Sequence, residues 1–142
     1  MKSIVILDDY QNVALQFGGW ERLKGRAEIR VLNRHIARED ELARELAGAN
    51  VIVCNRERTP VTASLIALLP KLELIVTSGA RNASIDVAAA KARGIPVCGT
   101  ATLGYPTAEL TWAMILSFMR SEEHTSELQS HLNLVCRLLL EK

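Results

Sequence analysis

Apolar and polar positions change rhythm repeatedly along this chain. SIVIL, from Ser3 to Leu7, is a short β-rich run that breaks at the polar DDYQN. Downstream, Val13, Phe17, Trp20 and Leu23 recur at helical spacing and predict one helix that Gly25 closes. EIRVLN reads as a second strand. REDELARELAG reads as a helix, with Leu42 and Leu46 four apart and Gly48 placed to end it. NVIVC predicts a third strand, and VTASLIALLP a short helix that Pro70 terminates. LELIVT is a fourth strand. Ser84 or Asp86 can cap the helix IDVAAAKAR, where Gly94 supplies the stop. IPVC predicts a fifth strand, and PTAELTWAMILSFM a long apolar helix from Pro106 to Met119.

Five short strands alternating with helices form a βαβ series, hence a parallel sheet covered on both faces. Right-handed crossovers then leave an α/β, flavodoxin-like, doubly wound sandwich as the simplest topology. Composition agrees with a soluble globular chain: 142 residues, 49% hydrophobic and 23% charged. The net charge of +1 excludes a field of one sign that would draw nucleic acid or an anionic membrane. No apolar run approaches the roughly 20 residues needed to span a bilayer. The first apolar run meets Asp8 and Asp9 at once, which does not suit a signal-peptide core. Cys54, Cys98 and Cys136 are few and far apart and fit a reducing cytoplasm.

Ligands of open α/β sheets bind outside the carboxyl ends of the strands, where loops and helix N-termini converge. Four segments here fall at such ends. Asp8-Asp9 could hold a cation, as in phosphate-accepting receiver domains, but the end of strand three then lacks the aspartate such sites need. The alternative is that Asp9 or Asn12 caps the first helix. In NRERTP (Asn55 to Pro60), Arg56 and Arg58 could fork onto a carboxylate or phosphate. Equally, the loop could be solvated, with Glu57 neutralising them. In TSGARNASID (Thr77 to Asp86), Gly79 permits a tight turn whose successive N–H groups can form an anion-binding concavity. Arg81 and Asn82 beside the turn favour anion binding. The fourth segment, CGTATLGYPTAE, carries neither GK[ST] nor G-x-G-x-x-G. There is no CxxC, H-E-x-x-H or G-x-S-x-G, and no metal site is expected. His35 is expected on a surface loop, and Cys54 and Cys98 as small buried hydrophobes.

ILDDYQNVA, VIVCNRERTPVT, LIVTSGARNASIDVAAAKARGIPVCGT and LGYPTAELTWAMIL together resemble the N-terminal part of the D-isomer-specific 2-hydroxyacid dehydrogenases. The resemblance covers Met1 to about Met119. It implies the substrate domain of a two-domain enzyme that interconverts a D-2-hydroxy acid and its 2-keto acid with NAD or NADP. It also implies that Ser78, Gly79, Ala80 and Arg81 offer backbone N–H groups to the substrate carboxylate. Arg56 falls where several members contact substrate, and Thr107 where members lie beside the nicotinamide. By the same resemblance the intact enzyme is a cytoplasmic homodimer. The family's dinucleotide glycine turn and its catalytic arginine, glutamate and histidine have no matching positions here. The expectation is therefore a fragment without catalytic residues that binds no cofactor well. A non-enzymatic flavodoxin-like module, receiver-type or small-anion-binding, is the alternative.

The expected organisation is a substrate domain over residues 1–105, the start of a connecting helix over 106–119, and a tail over 120–142. In that tail Leu128, Leu132, Val135 and Leu139 form an apolar stripe. Yet RSEEHTSELQS and LVCRLLL are also what a common short-read sequencing adapter encodes in one reading frame. The tail is accordingly expected to be non-native, with no function for His124, His131 or Cys136. The apolar Trp112, Met114, Ile115 and Phe118 are expected to leave an exposed patch that drives self-association.

Overall fold

The structure, a computed structural model, describes residues 1–101 and 104–119. The tail expected to be adapter-derived lies outside them. Two compact units are present, Met1–Thr102 and Leu103–Lys142.

The first unit holds five parallel strands: β1 (Lys2–Ile6), β2 (Ala27–Val31), β3 (Val51–Cys54), β4 (Leu74–Thr77) and β5 (Val97–Gly99). Their spatial order is β2-β1-β3-β4-β5. The helices are α1 (Ala14–Phe17), α2 (Glu39–Glu45), α3 (Ala63–Ala67) and α4 (Val87–Ala92), with a 3-10 turn over Trp20–Leu23. This is the flavodoxin-like order expected from the pattern.

Register explains the core. Val5 pairs with Ile52, and Ile52 with Ile75, so these three share one face. That face packs on Leu65 and Ile66 of α3, Ala90 of α4, and Leu42 and Leu46 from the α2 region, all buried. On the opposite face, Ile4, Val51 and Leu74 lie in register, as do Ile6, Val53 and Val76. Only Ile4 and Ile6 of these are buried; the flanking strands remain half-buried.

Two aspartates that the sequence singled out hold helix starts, Asp86 as the N-cap of α4 and Asp9 from just ahead of α1. The Asp86 carboxylate accepts the Ala89 N–H at 2.8 Å at the start of α4. Asp9 Oδ2 accepts the Ala14 N–H at 2.8 Å and so holds the start of α1. The Asp8-Asp9 pair is thus divided in role, which removes the geometry of a shared cation site.

Two expectations are corrected. Residues 13–23 do not form one helix: α1 stops at Phe17, and a separate 3-10 turn begins at Trp20. Gly18-Gly19 costs the helix propensity, and Trp20 folds back so that its indole N–H donates to Ala14 O at 2.8 Å. A Cβ on Gly18 would sit 2.0 Å from that indole nitrogen, so the fold-back requires glycine there. Phe17, the last residue of α1, is 84% exposed. Cys98, expected to be buried like Cys54, is exposed because β5 is an edge strand.

In the second unit, α5 runs from Pro106 to Met119 as expected. It buries no residue, and Trp112, Met114, Ile115 and Phe118 are all exposed. Among the described residues no helix is long and apolar enough to cross a membrane.

Candidate functional site

The carboxyl ends of β1, β3, β4 and β5 bring three loops together in the first unit. The loop after β4 is organised by its own side chains. Thr77 is buried, and its hydroxyl accepts from Asn82 Nδ2 at 2.9 Å. Ser78 donates its N–H to Cys54 O at 3.0 Å, which extends the β3–β4 ladder by one residue. Gly79 then turns the chain at φ 114°, a conformation open to glycine and strained for any other residue. Its N–H donates to Thr100 Oγ1 at 2.8 Å, and its carbonyl accepts the Thr100 N–H at 3.0 Å. Gly99 presses against the turn from β5: a Cβ there would lie 2.6 Å from Gly79 O.

This accounting narrows the anion cradle. Of the four N–H groups expected at Ser78, Gly79, Ala80 and Arg81, the first two are committed to the fold. Among the described residues, those of Ala80 and Arg81 have no hydrogen-bond partner. Both residues are exposed. Ala80, Arg81, Asn82, Thr77 and Gly99 line a hollow of about 590 Å³ with an apolar wall that includes Ile85 and Val97.

Arg56 lies across from this turn at φ 58°. Its N–H donates to Ser78 Oγ at 2.9 Å, and its carbonyl accepts from Asn82 Nδ2 at 2.7 Å. Its side chain is exposed, and among the described residues neither Arg56 nor Arg81 pairs with a carboxylate. Glu57 does not neutralise Arg56. It accepts the Ala83 N–H at 3.1 Å and lines the same hollow as Ala80 and Arg81. Arg58, the second candidate fork, is consumed internally: it donates to Asp8 O at 2.7 Å and stacks over the Tyr10 ring at 4.7 Å. The structure therefore keeps Arg56 available and retires Arg58.

Beneath the loops sits a polar cluster that sequence reasoning missed. Asp8 is 2% exposed at φ 55°. Thr59, also buried, donates to Asp8 Oδ2 at 2.6 Å. Tyr10 OH donates to Oδ1 at 3.2 Å, and His35 Nδ1 lies 3.3 Å from the same oxygen. His35 is thus half-exposed on its loop, yet anchored to a buried carboxylate. No local motif marks this cluster, since its members come from three loops. Burial, and then the Asp8 carboxylate, push the neighbouring Cys54 thiol up to about 12. Partial desolvation, then the Asp8 charge and hydrogen bond, raise the Tyr10 phenol against a smaller lowering by Arg58.

Thr107 is the second residue of α5 in the other unit, where its carbonyl accepts from Thr111 Oγ1 at 2.8 Å. Among the described residues no group of three or more His, Cys, Asp or Glu could hold a metal ion.

The family model described as "D-isomer specific 2-hydroxyacid dehydrogenase, catalytic domain" matches residues 4–136. The 2-hydroxyacid dehydrogenase homologue YoaD of Bacillus subtilis (strain 168) is 37% identical over 90 residues, 63% of this chain and 25% of its own length. Among solved structures, phosphoglycerate oxidoreductase from Vibrio cholerae O395 is 37% identical, with a TM-score of 0.73. That match covers 82% of this chain and 36% of the Vibrio protein. D-lactate dehydrogenase from Aquifex aeolicus, solved with NAD and lactic acid, is 25% identical with a TM-score of 0.58. It covers 88% of this chain and 37% of its own. The chain thus spans between a quarter and about two fifths of these relatives' lengths.

Proposed function

Since the chain belongs to the D-isomer-specific 2-hydroxyacid dehydrogenase family, we propose that its β4–α4 loop binds the carboxylate of a 2-hydroxy or 2-keto acid. The observation that carries this is the pair of N–H groups at Ala80 and Arg81 that have no acceptor among the described residues, flanked by two arginines without acidic partners among those residues. Successive N–H groups beside a glycine turn that lack acceptors among the described residues are suited to an anion. Each charge-assisted bond would contribute about 1.5–3 kcal/mol against water. Ser78 and Gly79 serve as the frame of the cradle, and Arg56 supplies a second cation from the β3 loop.

The reaction proposed for the longer protein is oxidoreduction between a D-2-hydroxy acid and its 2-keto acid, with NAD or NADP taking or giving the hydride. The residues present do not fit the cofactor's pyrophosphate: no G-x-G-x-x-G occurs in the chain. Only Thr107 falls, by resemblance, near the nicotinamide. No catalytic step is therefore assigned to a residue of this chain, and the isolated polypeptide should neither turn over substrate nor hold the dinucleotide tightly. A homodimer and a cytoplasmic location are proposed for the intact enzyme on the same footing.

A receiver-type reading is disfavoured by a specific observation. The Asp8 carboxylate is enclosed by Thr59, Tyr10 and His35, and buried Asp9 accepts the Ala14 N–H. Neither is presented for phosphorylation.

We further propose that residues 120–142 derive from adapter sequence, on the strength of the two runs described above. Sequencing the source locus across the Met119 codon tests this. The expected result is a frame that departs from RSEEHTSELQS and goes on to encode the dinucleotide turn and the catalytic residues. The enzyme expressed from that locus should reduce a 2-keto acid with NADH or NADPH to the D-product. A locus that encodes the tail as given, or an enzyme that reduces no 2-keto acid, refutes the corresponding part of the proposal.

A further inference from the structure

Asn82 is the residue on which the two loops of the site converge. Its Nδ2 donates to Arg56 O at 2.7 Å and to Thr77 Oγ1 at 2.9 Å. Its Oδ1 accepts the Ser84 N–H at 2.9 Å. Both amide hydrogens and one oxygen lone pair are thereby used. The amide can point only one way: reversed, it would set its oxygen against the Arg56 carbonyl and its NH₂ against the Ser84 N–H.

The Oδ1 bond is a local Asx turn leading into α4, a common structural role. The Nδ2 bonds are different. One ties the loop back to Thr77 at the end of β4, and the other reaches across 26 residues of sequence to Arg56 O in the β3 loop; neither has a part in starting a helix. Arg56 needs such support, because its φ of 58° lies in the left-handed region that a non-glycine residue holds only when its surroundings fix it. The Arg56 peptide is gripped on its N–H by Ser78 Oγ and on its carbonyl by Asn82. Both grips come from the loop that turns at Gly79 and presents the Ala80 and Arg81 N–H groups, which have no acceptor among the described residues.

We propose that Asn82 is a positioning residue of the carboxylate site, setting the separation between Arg56 and the Ala80–Arg81 amides without touching the ligand. This rests on the reading of that loop as the carboxylate site. Without the Nδ2 bonds, Arg56 keeps its charge but loses the backbone geometry that aims it. The predicted consequence is weaker anion binding in a protein that remains folded.

Two variants of the full chain test this. Asn82→Asp keeps the acceptor for Ser84 and turns an oxygen on the Arg56 carbonyl. Asn82→Ala is the milder change, removing the clamp without adding repulsion. Amide hydrogen exchange at Arg56 and Ala89 is measured by NMR, and pyruvate is titrated as the 2-keto acid probe, followed at the Ala80 and Arg81 amides. In both variants Arg56 exchange should accelerate about tenfold while Ala89, capped by Asp86, keeps its protection. The pyruvate Kd should rise about tenfold, equivalent to about 1.4 kcal/mol. Unchanged Arg56 exchange, or unchanged pyruvate affinity, in folded Asn82→Ala overturns the positioning role alone. A wild-type chain whose Ala80 and Arg81 amides ignore pyruvate overturns the carboxylate reading as well. The two failures are therefore separable.

Discussion

Thr59→Val is the most informative single change in the polar cluster under the site. Valine nearly matches the shape of threonine, so packing is preserved and only the hydroxyl is lost. That hydroxyl is the recorded donor to Asp8 Oδ2, at 2.6 Å, on a residue 2% exposed to water. Tyr10 and His35 both serve the other oxygen and cannot cover the loss. Hydrogen bonds to charged groups contribute about 1.5–3 kcal/mol, and removing one partner leaves the buried acceptor bearing its desolvation cost. The expected destabilisation is therefore about 2 kcal/mol. For a unit of this size that lowers the melting midpoint by roughly 8 °C. Urea denaturation followed by tryptophan fluorescence gives the free energy, and a cycle with His35→Ala measures the coupling. Because Thr59 and His35 share Asp8, the two changes should be non-additive by at least about 0.5 kcal/mol. A Thr59→Val chain within about 0.5 kcal/mol of wild type would show that Asp8 does not depend on this donor, and the cluster's structural role would fall.

Other consequences can be checked more simply. Iodoacetamide near pH 8 should alkylate exposed Cys98 and spare Cys54 until the protein unfolds, as peptide mass mapping would show. The folded Cys54 thiol is raised from its ordinary 9.0 to about 12, so its contribution to stability is complete below pH 9 and lost as pH climbs towards 12. Cys54→Ala should flatten that decline in pH-dependent urea melts; an unchanged slope would contradict the assignment. Gly99→Ala should cost about 1–3 kcal/mol, because its Cβ would meet Gly79 O at 2.6 Å, and a melt equal to wild type would refute that close approach. The chain should self-associate with rising concentration in sedimentation velocity. Ile115→Lys, on the exposed apolar face of α5, should reduce that tendency, and a monomer at every concentration would count against it.

The fold was largely readable from periodicity because short strands and their terminating glycines are local features. Gly48 at φ 91° and Gly94 at φ 68° sit where the chain leaves α2 and α4, as their positions in the sequence suggested. The segment around Trp20 was misread because hydrophobic spacing does not register a glycine pair or an indole folding back on its own chain. Cys98 was misread because edge position depends on strand order, which no local pattern encodes. The site was half legible. Gly79 and the two arginines announced an anion loop, but the capture of the Gly79 N–H by Thr100, and of Arg58 by Asp8 and Tyr10, arises from tertiary contacts. Asn82 drew notice as a neighbour of the turn, whereas its bond to Arg56 could be seen only once both loops were placed. His35 carried no sequence signal for Asp8, 27 residues away.

The most direct test of the carboxylate site is an NMR titration of the isotope-labelled chain with pyruvate, run in parallel with methyl pyruvate. The ester retains the keto group and removes the charge. Pyruvate should shift the Ala80 and Arg81 amides saturably, with smaller effects at Arg56, and methyl pyruvate should leave them in place. Equal shifts from both compounds, or no shift at Ala80 and Arg81 from either, would contradict the account.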